Sequence, residues 1–347
     1  MTEKAERGIQ VKDIFMFSFN AVMPILLMML LGYFLKTVHF ADEAFFKKAN
    51  TLVFKVFLPT LLFINVYDIE SLAAVNWRAV IYTLLIVLVL CGAGLILTKL
   101  LFRTRSKIGP LCQCSFRSNY AIIGIPLAET LGGSAGVGFA CVLSAVAIPL
   151  FNVLAVVILS HYSGEKQTGS VKATIKKTAT NPLIIGVLLG VIVLAIRSAL
   201  PLNAEGEIVF SIARDLPWFY SALKTVAKGT TALALIVLGA RFDFSRVSSL
   251  LGEITFGTLM RLVVAPLVGI GTGILLSENT SLINLTATEY PALISLFASP
   301  IAVSSAVMVG EIGGDEQLAG QLVVWTSVFS MFTMFGTIFI MKSFGFI

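Results

Sequence analysis

Arg117-Ser118-Asn119-Tyr120-Ala121-Ile122-Ile123-Gly124-Ile125-Pro126 interrupts an apolar run over about 110–132. Proline removes a backbone donor and disfavours helix in the residue before it. A second apolar run, near 289–312, is interrupted by Ala298-Ser299-Pro300, and Ser304 and Ser305 follow. Irregular backbone at membrane depth persists only where protein or a water-filled cavity satisfies its polar groups. Two such breaks predict half-helix ends facing each other near the membrane midplane. Their free N–H groups and partial positive charge suit an anion. A pair of proline kinks in ordinary packing helices is the alternative.

The rest of the chain fits lipid as its solvent. Of 347 residues, 57% are hydrophobic and 13% are charged, about half the charged share of a soluble domain. That composition excludes a soluble enzyme and a disordered chain. About ten spans of roughly twenty residues would leave no room for a sizeable soluble domain. The net charge of +6 reads as Lys and Arg held in cytoplasmic loops rather than as a nucleic-acid surface. The first run, Phe15 to Leu35, is too long for a signal-peptide core and reads as a retained span. Cys91, Cys112, Cys114 and Cys141 lie in or beside apolar runs and read as packing residues. No phosphate-binding loop pattern occurs, and His39 and His161 both fall in predicted loops. All six aspartates lie in tails, loops or helix ends. We therefore expect no cofactor, no metal site and no enzyme.

Ten hydrophobic segments lie near 14–36, 45–66, 79–101, 110–132, 136–160, 180–199, 217–240, 253–276, 289–312 and 318–341. Lys99, Arg103, Arg105 and Lys107 follow the third, and Lys166, Lys172, Lys176 and Lys177 follow the fifth. Both loops should be cytoplasmic. The same phase puts Lys36, Lys47 and Lys48 inside and both termini outside the cytoplasm, with Trp77 and Trp218 at the outer interface. Two short strings repeat. PILLMMLLG at 24–32 matches PLIIGVLLG at 182–190, and ETLGG at 129–133 matches GEIGG at 310–314. The offsets are 158 and 181, compatible with an insertion near 200–216. Five spans per half force opposite orientations, an inverted repeat of the kind found in secondary transporters. The expected fold class is an all-α polytopic membrane protein of ten transmembrane helices in a 5+5 inverted repeat, with broken helices 4 and 9. Its halves are 1–160 and 180–347, joined by a cytoplasmic loop at 161–179.

RSNYAIIGIPLA in span 4, NPLIIGVLLG in span 6, TALALIVLGARF in span 7 and ASPIAVSSAVMVGEIGGDEQLA in spans 9–10 resemble the auxin efflux carrier family. That family includes plant auxin exporters and bacterial permeases for malate or malonate, and the resemblance runs from about Phe15 to Phe344. It implies a bile-acid-symporter-like fold with an elevator mechanism. Spans 1, 2, 6 and 7 would form a scaffold, as a homodimer, and spans 3–5 and 8–10 a moving transport domain. It also implies that Asn119 matches the crossover asparagine, and Pro126 and Pro300 the crossover prolines. Two departures stand out. Many relatives have proline near Ala232, and the plant exporters' long central loop is missing.

Intramembrane charge defaults to function. Arg117 before the first break either draws an anion to the site or snorkels to the interface. Lys55 either lines the cavity or pairs with a carboxylate. Lys224 and Lys228 either snorkel or serve the site. Arg261 reads as a buried arginine bonded to carbonyls freed by a broken helix, or as a coupling residue. Glu129 and Glu311 are proton or cation candidates, or solvated helix ends. Ser118, Ser299 and Ser304, with Ser115 and Ser305, either read a substrate or bond between helices. The expected activity is transport of small organic anions, carboxylates such as malate, malonate or auxin-like acids, across the cell membrane. A sodium-coupled symporter of bile-acid type and a ligand sensor without transport are the alternatives.

Overall fold

The computed structural model describes residues 2–68, 75–162, 180, 182–199, 210–240 and 248–347, without the side chains of 2–11, 183, 184, 187, 198, 199, 248, 307 and 311. Most of the 161–179 loop, Asn181 and the Glu311 side chain thus lie outside the described residues. What is described is helical, with one isolated antiparallel bridge between Ser118 and Ile301.

Helix α1 runs Thr2–Thr37 and α2 Glu43–Leu52. A π turn at Val53–Phe57 joins α2 to α3, Leu58–Tyr67. Helix α4 spans Trp77–Leu101, and α5 Arg105–Phe116 ends at the first break. Helical structure resumes with a π turn at Tyr120–Gly124 and continues as α6, Ile125–Tyr162. Next come α7, Pro182–Ala199, and α8, Pro217–Ala240. Helix α9, Leu251–Leu259, passes through π turns at Met260–Val264 and Leu267–Gly271 into α10, Thr272–Asn279. The second break separates α11, Tyr290–Ala298, from α12, Val303–Ile312, and α13, Glu316–Ser343, follows. Sequence chemistry sets several starts. Asp42, Asn76 and Asp315 each accept a backbone N–H from the first turn of α2, α4 and α13, as short polar N-cap side chains do.

Among the described residues, seven helical stretches are long and apolar enough to cross a membrane, against ten segments expected. The difference has local causes. Tyr120–Tyr162 counts once although Gly133, at φ 56° and ψ −146°, turns the chain inside it. Helices α11 and α12 are each too short alone, because the Ser299–Pro300 break divides them. Of α7, Leu188–Arg197 registers as a shorter apolar helix.

Glycines set two close crossings. A Cβ at Gly32 of α1 would collide with the Ile236 carbonyl of α8, and one at Gly239 of α8 with the Met29 carbonyl of α1. On α7, Gly186 faces the backbone of Pro59, and Gly190 faces Val66 and the Phe63 carbonyl of α3. Apolar side chains gain little by leaving lipid for another helix, so small residues that let backbones approach drive such packing. Helices α5, α6, α11, α12 and α13 pack around the two breaks. There Gly124 leaves 3.0 Å between its Cβ position and the Ser295 carbonyl.

Candidate functional site

The two breaks meet. Helix α5 stops at Phe116, α11 at Ala298, and the extended residues between the helix halves run antiparallel. The N–H of Asn119 donates to the Pro300 carbonyl at 2.8 Å, and the N–H of Ile301 reaches Thr326 Oγ1 at 3.3 Å. Helix then restarts beside the crossing, at Tyr120 after Asn119 and at Val303 after Ala302. Neither preceding residue caps its helix with a side-chain bond. Two helix N-termini thus begin here without side-chain caps, an arrangement that favours negative charge.

Arg117 sits in the first break, 3% exposed. Nη2 donates to Asn152 Oδ1 of α6 at 2.9 Å and to Ser304 Oγ of α12 at 2.8 Å. Nη1 donates to Gln113 Oε1 at 3.2 Å and lies 2.7 Å from the Met308 sulfur. All four partners are neutral side chains. Among the described residues Arg117 has no ion-pair partner. Around it, Ser118 Oγ, Asn119 Nδ2, Asn152 Nδ2 and Gln113 Nε2 are buried with no hydrogen-bond partner. Buried donors are costly without an acceptor, so each of these four calls for one.

Apart from Gln113 and Met308, these groups edge a cavity. Its polar lining is Arg117, Ser118, Asn119, Asn152 and Ser304, and its apolar side includes Phe54, Leu58, Ile122, Ile148 and Phe151. No acidic side chain lines it. Its volume is about 30 Å³, enough for a water but below the ~300 Å³ of a small-molecule pocket. A larger cavity of about 1020 Å³ lies beside Lys36, His39, Lys47, Asn50, Ala240, Ala306, Gly310 and Glu316. It touches α12 at Ala306 and Gly310, one and two turns beyond Ala302 of the small cavity.

The remaining sequence candidates lie elsewhere. Ser299 Oγ donates to the Ser295 carbonyl at 2.6 Å, and Ser115 Oγ to Cys112 at 2.6 Å. Pro300 forms the break but does not line the cavity, and Pro126 lies in the first turn of α6, past the π turn. Lys55 is exposed, while its neighbours Phe54 and Leu58 line the cavity. Glu129 is exposed on α6. Arg261, 1% exposed, donates to the carbonyls of Leu296 at 2.9 Å and Phe297 at 2.6 Å. Lys224 lies 3.2 Å from Asp68 and over the Tyr220 ring. Sequence reasoning missed Asn152 and Gln113. Their only signal is a polar amide between apolar neighbours, Gln113 one turn before Arg117.

A family of membrane transport proteins matches residues 17–338. An uncharacterized transporter of Methanothermobacter thermautotrophicus is 24% identical over 325 residues, covering 92% of this chain and 97% of that protein. An uncharacterized transporter of Methanocaldococcus jannaschii is 23% identical over 322 residues, covering 91% and 96%. A family match over nearly the whole chain, around two broken helices that join at a buried arginine, places this multi-pass membrane protein: the chain belongs to the membrane transport protein family, that of the auxin efflux carriers.

Proposed function

We propose that this protein is a secondary carrier that moves small organic anions, carboxylates above all, by alternating access. The observation that carries the reading is Arg117, a buried cation held only by neutral side chains and surrounded by unpartnered amide and hydroxyl donors. A buried charge without a counter-charge is strongly unfavourable. A substrate carboxylate answers both needs. It would take the guanidinium fork and accept from Asn119, Ser118 or Asn152, next to two helix N-termini. The apolar wall from Phe54 to Phe151 would hold the rest of the molecule.

The small cavity holds only water-sized space, so substrate binding requires its walls to part. In this reading the large cavity is the cytoplasmic vestibule, with Lys36 and Lys47 at its mouth. Helices α1, α2–α3, α7 and α8 are the scaffold, dimeric in the membrane. Helices α4–α6 and α9–α13 move against it as an elevator. The chain crosses the plasma membrane ten times as an inverted repeat, both termini outside. The glycines support the repeat. Gly32 and Gly190 end the two matching strings, and each meets the backbone of a helix from the other half, at Ile236 and at Phe63.

Proteoliposomes loaded with labelled malonate, malate or indole-3-acetate test the reading. Saturable flux is expected with at least one. It should fall about 30-fold in Arg117→Gln, the equivalent of ~2 kcal/mol of charge-assisted bonding. Flux unchanged in both Arg117→Gln and Asn119→Ala would remove the site. Saturable binding without flux would make the protein a sensor.

A further inference from the structure

The second buried arginine occupies a different electrostatic position. Helix α11 ends at Ala298, three residues from the Ile301 bridge, with its C-terminal carbonyls at the crossing. A helix C-terminus carries partial negative charge, and its last carbonyls lack intrahelical partners. At membrane depth such oxygens need a donor or a cation. Three of them are filled by this chain. Ser299 Oγ donates to Ser295 at 2.6 Å, and Arg261 Nη2 donates to Leu296 at 2.9 Å and to Phe297 at 2.6 Å.

Arg261 projects from the Met260–Val264 π turn, is 1% exposed and has no ion-pair partner among the described residues. Its charge therefore rests on the helix end itself. The contrast with Arg117 is chemical. The partners of Arg117 are side chains that can rotate toward other groups. Those of Arg261 are backbone carbonyls fixed by α11.

We propose that Arg261 is a built-in counter-cation, a positioning residue that fills the carbonyl end of the broken helix and leaves no place there for a diffusible monovalent cation. Transport then proceeds without sodium bound at this end of the crossing. The inference rests on the carrier reading for its transport consequence. Its structural content stands on Arg261 and α11 alone.

Two readouts separate these. Thermal unfolding of purified wild type, Arg261→Ala and Arg261→Lys is followed in choline, sodium and methylguanidinium chloride. The wild-type midpoint should be equal in choline and sodium. Arg261→Ala should unfold several degrees lower and recover in methylguanidinium, which replaces the missing fork. A wild-type midpoint raised by sodium over choline, or no recovery by methylguanidinium, overturns the proposal. If Arg261→Ala does not fold, Arg261→Lys decides. Its single ammonium should lower the midpoint and keep it equal in sodium and choline, and a rise in sodium counts against the proposal. In proteoliposomes at clamped voltage, wild-type carboxylate flux should be the same in sodium and choline. Sodium-dependent flux overturns the proposal and leaves the carrier reading intact. Absence of flux with every carboxylate sinks the carrier reading, and the unfolding midpoints still decide the role of Arg261.

Discussion

The backbone N–H of Asn119 donates to the carbonyl of Pro300 at 2.8 Å. The bond joins two interrupted helices at the residues that the repeat offset of 181 pairs in the sequence. It also fixes what the crossing can do. Backbone is shared at one short bridge, so most of the polar environment there comes from side chains and helix ends. Those side chains are Arg117 with Asn152 and Ser304, and the unpartnered donors of Ser118, Asn119 and Asn152 line the same small cavity.

Asn152→Asp tests whether Arg117 serves a carboxylate. The change is nearly isosteric and puts an anion 2.9 Å from Nη2, so it supplies from within what the substrate would bring. A structural role for Arg117 predicts a neutral or improved protein in every respect. A binding role predicts a folded protein with an equal or higher unfolding midpoint and flux reduced by about 30-fold or more, since the internal ion pair competes with substrate. Flux and unfolding measured on the same preparation decide between them.

Arg117→Lys keeps the charge and removes the fork. Nη1 and Nη2 together reach α5, α6 and α12, and a single ammonium cannot span those partners in one geometry. We expect KM for the carboxylate to rise about tenfold, the equivalent of ~1.4 kcal/mol, with a smaller effect on maximal flux. Concentration-dependent uptake separates the two. Equal loss in both would place Arg117 in the conformational change rather than in binding.

The breaks were legible because proline, glycine and asparagine act locally, and a window around Asn119 or Pro300 contains the cause. Arg117 stood out for the same reason, a charge in an apolar run. The rest depends on helical phase and distant partners. Lys55 and Phe54 are adjacent, and the π turn at Val53–Phe57 decides which one meets the cavity. A π turn shifts the phase of everything after it, and nothing in the composition of that stretch marks it. Asn152 lies 35 residues beyond Arg117, and a single asparagine in an apolar helix usually serves packing. Local features also set how apolar runs map onto helices. The Ser299–Pro300 break divides one run into two short helices, while the Gly133 turn lies inside a long one.

Gly239→Val tests the α1–α8 crossing. The glycine stands against the Met29 carbonyl with no room for a Cβ, and a backbone atom cannot move aside as a flexible side chain can. Overpacking of this kind costs about 1–3 kcal/mol or more. We expect a lower unfolding midpoint and loss of folded yield, whereas Gly252→Val, with open space around its Cβ position, should behave as wild type. Equal behaviour of the two variants would mean that the crossing does not hold the fold.

Asp68→Asn tests the charge left at the end of α3. Asp68 takes Lys224 at 3.2 Å and the Tyr220 hydroxyl at 2.8 Å, and the ion pair is substantially exposed. Exposed pairs contribute ~0–1 kcal/mol. The variant should unfold within about that range of wild type and transport normally. A large loss of flux with normal unfolding would instead bring Lys224 into the transport path.

Cysteine labelling tests the vestibule and the topology together. Gly310 borders the large cavity with Lys36 and Lys47, residues that the positive-inside rule puts on the cytoplasmic side. Ser295 is fully buried beside the crossing. In a background with the four native cysteines replaced, Gly310→Cys should react with a membrane-impermeant maleimide in inside-out vesicles and stay unreactive in right-side-out ones. Ser295→Cys should stay unreactive in both. An excess of the carboxylate that drives the small cavity open should change the Gly310→Cys rate, because Ala306 and Gly310 follow Ala302 along α12 at one-turn steps and move with it. Reaction only from the outside would invert the topology. A rate indifferent to every transported carboxylate would separate the vestibule from the site at Arg117.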